Sequence, residues 1–242
     1  MRTALLSDIH SNLEALLAVI ADLREENIDT VVFLGDIVGY GASPNECIRL
    51  IDELADTIIA GNHDWACAGK NTIQGFNPRA RAAAEWTRKK LTAENRGFLL
   101  SLPLKEKNDD AVYVHATPCF PESWDYVTSR SEAKFCFESF SAKLCFIGHS
   151  HIPAIFTLPP DRKMIAQSPD TLMISDDSRH IINCGSIGQP RDNNPMAAYG
   201  IYDSKKKIYV LKRVAYDIRT AQEKILAAGL PDFLAKRLEL GR

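Results

Sequence analysis

Short apolar runs and amphipathic stretches alternate along the first part of the chain. Thr3-Ala4-Leu5-Leu6 and Thr30-Val31-Val32-Phe33-Leu34 are typical of buried strands, and apolar side chains recur at helical spacing over residues 12–27 between them. A strand, a helix and a strand in this order predict a parallel crossover unit. Since such units bind ligands at the carboxyl ends of their strands, the residues after each strand are the candidates for chemistry.

The same alternation continues to residue 242. Further strands are predicted at residues 57–60, 111–114, 143–147, 180–184, 198–203 and 208–214, and the last two form an antiparallel hairpin. One helix is predicted to begin at Pro44, with Ser43 as its N-cap, and three more are predicted over residues 78–91, 92–100 and 131–140. Asp217 is expected to cap a further helix, and a last one is expected to begin at Pro231. Residues 65–77 look like a loop, and Pro159-Pro160-Asp161 look like a turn between two short strands. The order predicts a single α/β domain over residues 1–242, with two half-sheets that carry helices on their outer faces.

Ligand-type residues follow the predicted strands one after another. They are Asp8, His10, Asp36, Asn62, His63, His115, His149 and His151, and they include five of the six histidines. In an extended chain, positions i and i+2 point to the same side, so Asp8 and His10 are expected to close on one ion. Carboxylate, amide and imidazole donors suit Mn, Fe, Zn or Ni. With His63 set aside, seven ligands are too many for one ion and fit two ions that share a carboxylate.

Two divalent ions at about 3.5–4 Å separation are the arrangement that cleaves phosphate esters. The ions lower the pKa of a shared water and hold the phosphoryl oxygens as negative charge develops. The leaving oxygen then needs a proton, and a histidine beside the site is the natural donor.

The ordered set of motifs resembles the calcineurin-like metallophosphoesterases. These motifs are Asp8-x-His10, Gly35-Asp36, Gly61-Asn62-His63-Asp64, the strand-terminal His115 and Gly148-His149-x-His151. The remaining chain is similar to a small stand-alone bacterial and archaeal phosphodiesterase-type branch of that superfamily, at residues 36–41, 185–191 and 228–231. The resemblance implies an α/β/β/α sandwich, in which two facing mixed β-sheets are flanked by helices.

The resemblance also implies a role for each matching residue. The first metal would be held by Asp8, His10 and His151, the second by Asn62, His115 and His149, and Asp36 would bridge them. His63 would protonate the leaving group as the general acid, and Asp64 would orient His63. Mn²⁺ is the favoured ion, with Fe, Zn and Ni as alternatives.

The chain departs from two other branches of the superfamily. Protein phosphatases carry Asp-Arg-Gly after their Gly-Asp motif, where this chain has Val38-Gly39-Tyr40, so protein phosphoserine or phosphothreonine is the less favoured substrate. Purple acid phosphatases have Asp-x-Gly first and a tyrosine ligand three residues after the second Asp, whereas Tyr40 comes four residues after Asp36. Arg191 is the candidate for contacting the substrate phosphate, through its bidentate geometry.

The composition and charge of the chain limit the classes of molecule that it is expected to bind. The chain has 242 residues, 45% of them hydrophobic, and a formal net charge of −2, so neither a stable nucleic-acid complex nor a membrane surface is expected. No apolar stretch reaches the ~18 residues of a membrane span, and no signal peptide is recognised. The six cysteines form no Cys-x-x-Cys pair and are interpreted as buried thiols in a reducing cytoplasm. A homodimer is left open.

Three functions compete on these residues. The first is a metal-dependent phosphoesterase that hydrolyses a small phosphodiester or phosphomonoester with metal-activated hydroxide; nucleotides, including cyclic nucleotides and dinucleoside polyphosphates, are among the substrates that the resemblance implies. The second is a metal-bound binding scaffold with little or no catalysis, against which the presence of His63 argues. The third, a metallo-β-lactamase-like hydrolase, needs His-x-His-x-Asp-His, whereas Ile152-Pro153 follows His149-Ser150-His151 here.

Overall fold

The computed structural model describes residues 1–161, 163–168 and 170–242. These residues form twelve strands: β1 (Arg2–Leu6), β2 (Thr30–Phe33), β3 (Thr57–Ile58), β4 (Lys105–Lys107), β5 (Ala111–Val114), β6 (Leu144–Ile147), β7 (Ala154–Leu158), β8 (Ile165–Gln167), β9 (Thr171–Met173), β10 (Arg179–Asn183), β11 (Ala197–Asp203) and β12 (Ile208–Val214). They also form eight α-helices: α1 (Leu13–Glu25), α2 (Pro44–Leu54), α3 (Asn62–Ala68), α4 (Pro78–Lys90), α5 (Ala93–Ser101), α6 (Arg130–Cys136), α7 (Ile218–Ala227) and α8 (Asp232–Lys236).

The strands form two six-stranded mixed sheets. The first has the order β3-β2-β1-β11-β12-β9 and the second the order β4-β5-β6-β10-β7-β8. Strands β1, β2 and β3 are parallel, as are β5, β6 and β10, and the other neighbours are antiparallel. The predicted sandwich of two mixed sheets flanked by helices is confirmed, and so is the antiparallel hairpin β11–β12.

Successive side chains of one strand enter different apolar layers. Leu5 packs between the two sheets with Phe146 and Ile182, whereas Leu6 packs with Leu16 of α1 on the outer face of the first sheet. Because both faces of these strands are buried, they are continuous apolar runs without polar alternation. This is why the sequence shows the central strands so clearly.

Three predicted elements differ in the structure. Residues 65–77 are not all loop, because α3 begins at Asn62 and ends at Ala68. The Asp64 carboxylate accepts the Gly61 amide at the start of this helix, at 2.9 Å, and Gly69 ends it with a φ of 93°. The third strand ends at Ile58 instead of residue 60, and α6 ends at Cys136 instead of residue 140.

Two further elements lie at sheet edges. Strand β4 was not predicted, because it is three residues long and reads Lys-Glu-Lys, a charged edge strand. The predicted turn at Pro159-Pro160-Asp161 follows β7, which pairs antiparallel with β8; Arg162 and Pro169 lie outside the described residues. Of the helices in the described ranges, none has both the length and the apolarity to cross a membrane.

Replacement of Phe146 tests the layer between the sheets. Phe146 is 1% exposed, so Phe146→Ala is expected to lower the free energy of unfolding by about 3–5 kcal/mol in urea titrations followed by circular dichroism. Phe135→Ala is the matched control, because Phe135 is 55% exposed and its loss should cost less than about 1 kcal/mol. Equal losses in the two variants would contradict the assignment of Phe146 to the core.

Candidate metal centre

The predicted ligand residues meet at one edge of the sandwich, after the carboxyl ends of parallel strands from both sheets. Asp36 Oδ2 lies 3.3 Å from His115 Nε2 and 3.5 Å from His10 Nε2, and Asp8 Oδ1 lies 3.2 Å from His151 Nε2. Three groups could each hold an ion, with ligand atoms within 4.8 Å of one another: Asp8, His10 and His151; His10, Asp36 and His63; Asp36, His115 and His149. Asp36 Oδ2 lies within 3.5 Å of a histidine of the first group, His10, and of a histidine of the third, His115, which is the position expected of a shared carboxylate.

The backbone reason given for the first motif was wrong. Asp8 and His10 do not lie in extended chain, because their φ angles are 55° and 49°. The loop after β1 is instead held against the loop after β2, since the amides of Asp8 and His10 donate to the carbonyls of Gly35 and Asp36 at 3.0 Å each. The two side chains still converge, with His10 Nε2 3.7 Å from Asp8 Oδ1. Parallel pairing of neighbouring loops therefore does what strand alternation was expected to do.

Two glycines of the motifs allow side chains of neighbouring loops to lie directly against the backbone. A Cβ at Gly61 would collide with the Asp36 carboxylate, and a Cβ at Gly148 would collide with Ser7 Oγ and Asp8 Oδ2. The glycines stand directly before ligand residues because another loop's carboxylate occupies the space of a side chain.

Hydrogen bonds fix which nitrogen of each histidine carries the proton. His10 Nδ1 donates to the Val38 carbonyl at 3.0 Å, His115 Nδ1 to Leu34 at 2.7 Å, and His151 Nδ1 to Gln189 at 2.7 Å. A carbonyl only accepts, so each ring keeps Nε2 for another partner. His149 has the opposite tautomer, because its Nε2 donates to the Trp124 carbonyl at 2.8 Å and its Nδ1 is left for another partner.

These donors fit a cation. His10 Nε2 and His151 Nε2 lie 3.0 Å apart although both Nδ1 atoms already donate, so two lone pairs meet unless a positive centre lies between them. Four inward ligand atoms have no hydrogen-bond partner among the described residues although they are buried: Asp8 Oδ1, Asp36 Oδ2, Asn62 Oδ1 and His115 Nε2. Unpaired buried carboxylate oxygens are costly, and metal coordination is the ordinary way to satisfy them.

The pKa values of His115 and Asp8 also indicate that positive charge stabilises the centre. Burial alone would lower the pKa of His115, but the Asp36 carboxylate raises it to about 9. Burial likewise opposes ionisation of Asp8, yet the neighbouring His151 brings the pKa of Asp8 below its usual range. Protonated His115 thus supplies positive charge to a buried carboxylate, whereas burial lowers the pKa of His151. A divalent ion would supply positive charge to both carboxylates without a proton.

Asp64 does not orient His63 by a hydrogen bond, contrary to expectation. Its Oδ2 accepts the amides of Asp36 at 2.8 Å and Gly61 at 2.9 Å, and its Oδ1 accepts the amide of Val38 at 3.1 Å. Burial and the nearby Asp36 carboxylate raise the pKa of Asp64 to about 7, while the three amides favour its charged form. Asp64 is therefore a positioning residue that ties the loop after β2 to the start of α3.

His63 lies beside the ligand groups in an aromatic enclosure. Its ring centroid is 4.5 Å from that of Tyr40, 4.7 Å from Phe76 and 4.9 Å from His10. Its backbone amide donates to Asp36 Oδ1 at 2.8 Å, which fixes it to the shared carboxylate. Burial lowers the pKa of His63 to about 4, against the opposite influence of Asp36. A phosphate anion beside the ring would act in the same direction as Asp36 and favour the protonated form.

Arg191 lies at the rim of the centre. Its amide donates to the His151 carbonyl at 3.2 Å, its Nη2 donates to Gln189 Oε1 at 2.8 Å, and its guanidinium carbon is 5.8 Å from the ring centroid of Tyr40. Its contact with a substrate phosphate stays a prediction.

Sequence reasoning missed the residues that hold the ligands. Ser7 Oγ donates to Asp8 Oδ2 at 2.6 Å, and Ser186 Oγ donates to the Asp8 carbonyl at 2.8 Å. The Tyr126 ring stacks on His149 with centroids 4.1 Å apart. Ser7 could have been found from its place beside Asp8, but nothing near Tyr126 in the sequence marks it, because tertiary folding alone brings that loop to the site.

Comparison with known proteins places these residues in context. The family model for calcineurin-like phosphoesterases matches residues 1–153. An uncharacterised protein of Methanocaldococcus jannaschii is 41% identical over 244 residues, which span 99% of this chain and 98% of its own. The crystal structure of a metallophosphoesterase from Sphaerobacter thermophilus superposes with a TM-score of 0.89 at 39% identity, covering 100% of this chain and 99% of that one. The symmetrical bis(5′-nucleosyl)-tetraphosphatase of Sodalis glossinidius is 36% identical over 149 residues, 55% of this chain and 49% of its own.

Replacement of Asp36 tests the shared position. Metal-stripped protein titrated with Mn²⁺ in a calorimeter is expected to bind two ions per chain. Asp36→Ala should abolish tight binding of both, because Asp36 Oδ2 lies 3.5 Å from His10 of one proposed ligand set and 3.3 Å from His115 of the other. His180→Asn is the control: the sixth histidine bonds Thr157 Oγ1 at 3.0 Å, belongs to none of the ligand groups, and its loss should leave two ions bound. An Asp36→Ala variant that still binds two ions tightly would refute the shared role.

Replacement of Asp64 tests its positioning role. Asparagine offers one carbonyl oxygen in place of two carboxylate oxygens, so Asp64→Asn leaves at least one of three backbone amides opposite an NH₂ group. The expected loss is about 10–100-fold in Mn²⁺ affinity, the usual scale for a residue that holds a ligand loop. The exposed Asp52→Asn removes the same charge from α2 and should bind Mn²⁺ as the original protein does. Equal affinities for all three proteins would contradict the role of Asp64.

Proposed function

Because the chain belongs to the calcineurin-like phosphoesterase family, we propose that it hydrolyses a small phosphomonoester or phosphodiester and needs two divalent metal ions to do so. The family match confirms the resemblance drawn from the sequence motifs. The single observation that carries the proposal is the meeting of the buried Asp8 and Asp36 carboxylates with four histidines whose tautomers leave a nitrogen free.

The proposed ligand sets are those that the family resemblance implies, and two of the three groups in the structure support them: Asp8, His10 and His151, and Asp36, His115 and His149. One ion would be held by Asp8, His10 and His151, the other by Asn62, His115 and His149, and Asp36 would bridge them. Mn²⁺ is the proposed ion, with Fe, Zn and Ni as alternatives, because oxygen and imidazole donors suit mid-row divalent metals. The unpartnered Oδ1 of Asn62 supports its inclusion.

The chemistry divides between the ions and the side chains. Two bound divalent ions supply a water of lowered pKa and positive charge for the phosphoryl oxygens. Arg191 would hold a non-bridging oxygen of the phosphate through its guanidinium. His63 would give its proton to the leaving oxygen from Nε2, because its Nδ1 is buried against the backbone of Gly39. The contact is so close that a Cβ placed on Gly39 would lie 2.6 Å from Nδ1. Asp64 would act through the loops that it joins.

A small substrate is favoured over a protein or a long nucleic acid. The net charge of −2 gives no attraction for a polyanionic duplex, and the loop after Asp36 lacks the arginine of protein phosphatases. Nucleotides are among the proposed substrates, and the name of the bis(5′-nucleosyl)-tetraphosphatase relative is consistent with them.

We further propose that residues 1–242 work as one domain in the cytoplasm. Strand β11 lies outside the family match but pairs with β1 in the middle of the first sheet, so the second half of the chain completes the first. All six cysteines are free thiols, as expected in a reducing compartment.

Removal of the His63 ring tests general acid catalysis. Metal-stripped protein reloaded with Mn²⁺ should hydrolyse p-nitrophenyl phosphate or bis(p-nitrophenyl) phosphate, and His63→Asn should lower kcat by about 100-fold or more with the Mn²⁺ content unchanged. The loss should grow as the leaving alcohol becomes less acidic, from p-nitrophenyl to phenyl to alkyl esters, because a poor leaving group depends more on a proton donor.

Two results would count against this function. A loss that is the same for every leaving group would make His63 a positioning residue instead of the acid. Two bound ions with no turnover of any ester would favour the metal-bound scaffold over the enzyme.

A further inference from the structure

A second feature adjoins the metal centre: a cleft of about 260 Å³ between the start of α4, the loop of Tyr126 and helix α8. Its walls include three arginines, Arg79, Arg191 and Arg237, and the rings of Tyr40, Tyr126 and Phe233. Arg191 and Arg237 lie beyond residue 153, where the family match ends, so the family match does not account for the cleft.

The cleft opens directly beside the ligand residues. Tyr40, in its wall, lies against His10 and His63, with ring centroids 4.7 and 4.5 Å apart. Tyr126, also in its wall, stacks on His149. The cleft and the ligand residues therefore meet at the rings of Tyr40 and Tyr126.

The three arginines are held by rings and backbone. Within the described ranges, the three arginines of the cleft form no ion pair with a side-chain carboxylate, whereas Arg2, Arg213 and Arg219 do. The guanidinium carbons of Arg79 and Arg237 lie 3.8 and 5.5 Å from the centroid of the same ring, that of Phe233. Arg237 Nε donates to a main-chain oxygen of Arg242, the last residue of the given sequence, and Arg191 Nε is buried without a partner among the described residues.

This arrangement leaves positive charge uncompensated. Burial, and then the charge of Arg191, lower the pKa of Arg237 to about 10, which is still high enough to keep it charged at neutral pH. The carboxylate of Asp232 lies close enough to feel Arg79, but it is paired with Lys236 at 2.7 Å. Three like charges around one cleft cost free energy unless an anion shares them.

We propose that the cleft binds a second phosphate group of the substrate, so that the preferred substrates are esters of diphosphate or longer oligophosphate chains. Arg191 serves the phosphate at the metal centre, and Arg79 and Arg237 serve the phosphates beyond it. Guanidinium groups bind phosphate in bidentate fashion. Three guanidiniums, from α4, from the residue after α8 and from the loop after β10, suit one compact anion better than an extended nucleic-acid strand. This inference rests on the proposed function, because both concern one site.

Direct binding tests the cleft without turnover. Metal-free protein in EDTA is titrated calorimetrically with tripolyphosphate and with orthophosphate, and tripolyphosphate should bind more tightly. In Arg79→Ala/Arg237→Ala the Kd for tripolyphosphate should rise at least about tenfold and that for orthophosphate less than about threefold, because charge-assisted hydrogen bonds to the outer phosphates are lost.

The control removes the same charge elsewhere. Arg81 lies two residues after Arg79 and bonds the Gln74 carbonyl at 2.6 Å, and Arg219 is 88% exposed and paired with Glu223. Arg81→Ala/Arg219→Ala should bind tripolyphosphate as the original protein does. Equal losses in the two double variants would show general charge attraction and overturn the proposal, as would tripolyphosphate binding no tighter than orthophosphate.

Kinetics with the Mn²⁺-loaded enzyme separate this inference from the proposed function. Arg79→Ala/Arg237→Ala should raise KM at least about tenfold for adenosine triphosphate and much less for adenosine monophosphate, with kcat changed less than the KM for the triphosphate. A uniform change across both substrates would overturn the subsite. Absence of turnover of any ester by the original protein would contradict the proposed function, and the binding titrations would then decide the subsite alone.

Discussion

Two buried carboxylates, Asp8 and Asp36, set the constraint on which the rest of the structure depends. Each is at most 1% exposed, and a carboxylate in that environment is costly unless hydrogen bonds and positive charge compensate it. The outer oxygen of each is satisfied by the protein, Asp8 Oδ2 by Ser7 Oγ and the His149 amide and Asp36 Oδ1 by the His63 amide. The inner oxygens are directed at imidazole nitrogens. The protein thus satisfies one oxygen of each carboxylate with hydrogen bonds, and the other oxygen is available to a cation.

Hydrogen bonds of the protein itself fix the loops that carry these groups to one another. Asp64 accepts amides from the loop after β2 and from the start of α3, and Ser186 fastens the loop after β10 to the loop after β1. Five of the candidate ligands, Asp8, His10, Asp36, His149 and His151, have positive φ. Such conformations are uncommon outside glycine, and they persist because parallel strands and buried hydrogen bonds hold the loops on both sides. A preorganised set of donors follows, which favours metal binding over rearrangement.

The second half of the chain also contributes to the site. The loop between β10 and β11 places Ser186 and Arg191 beside the candidate ligands, and Phe233 of α8 and Arg237, directly after α8, lie in the wall of the cleft. The ions would supply chemistry common to the family, whereas the cleft residues would decide which phosphoester enters. Carboxylates lie among the candidate ligands, and arginines lie in the wall of the adjoining cleft.

Much of this protein was determined by its sequence alone. Fully buried strands are continuous apolar runs, so the central strands and the two-sheet architecture could be predicted, and ligand residues at the ends of parallel strands identified the centre. Other features were decided by tertiary structure. Asp8 and His10 converge through pairing between loops and not through strand geometry, and Asp64 joins two loops instead of orienting His63. The cleft joins Arg79 to Arg237 across 158 residues. Local sequence records propensity and burial, but contacts between distant segments depend on how the two sheets pack, and no short motif encodes that packing.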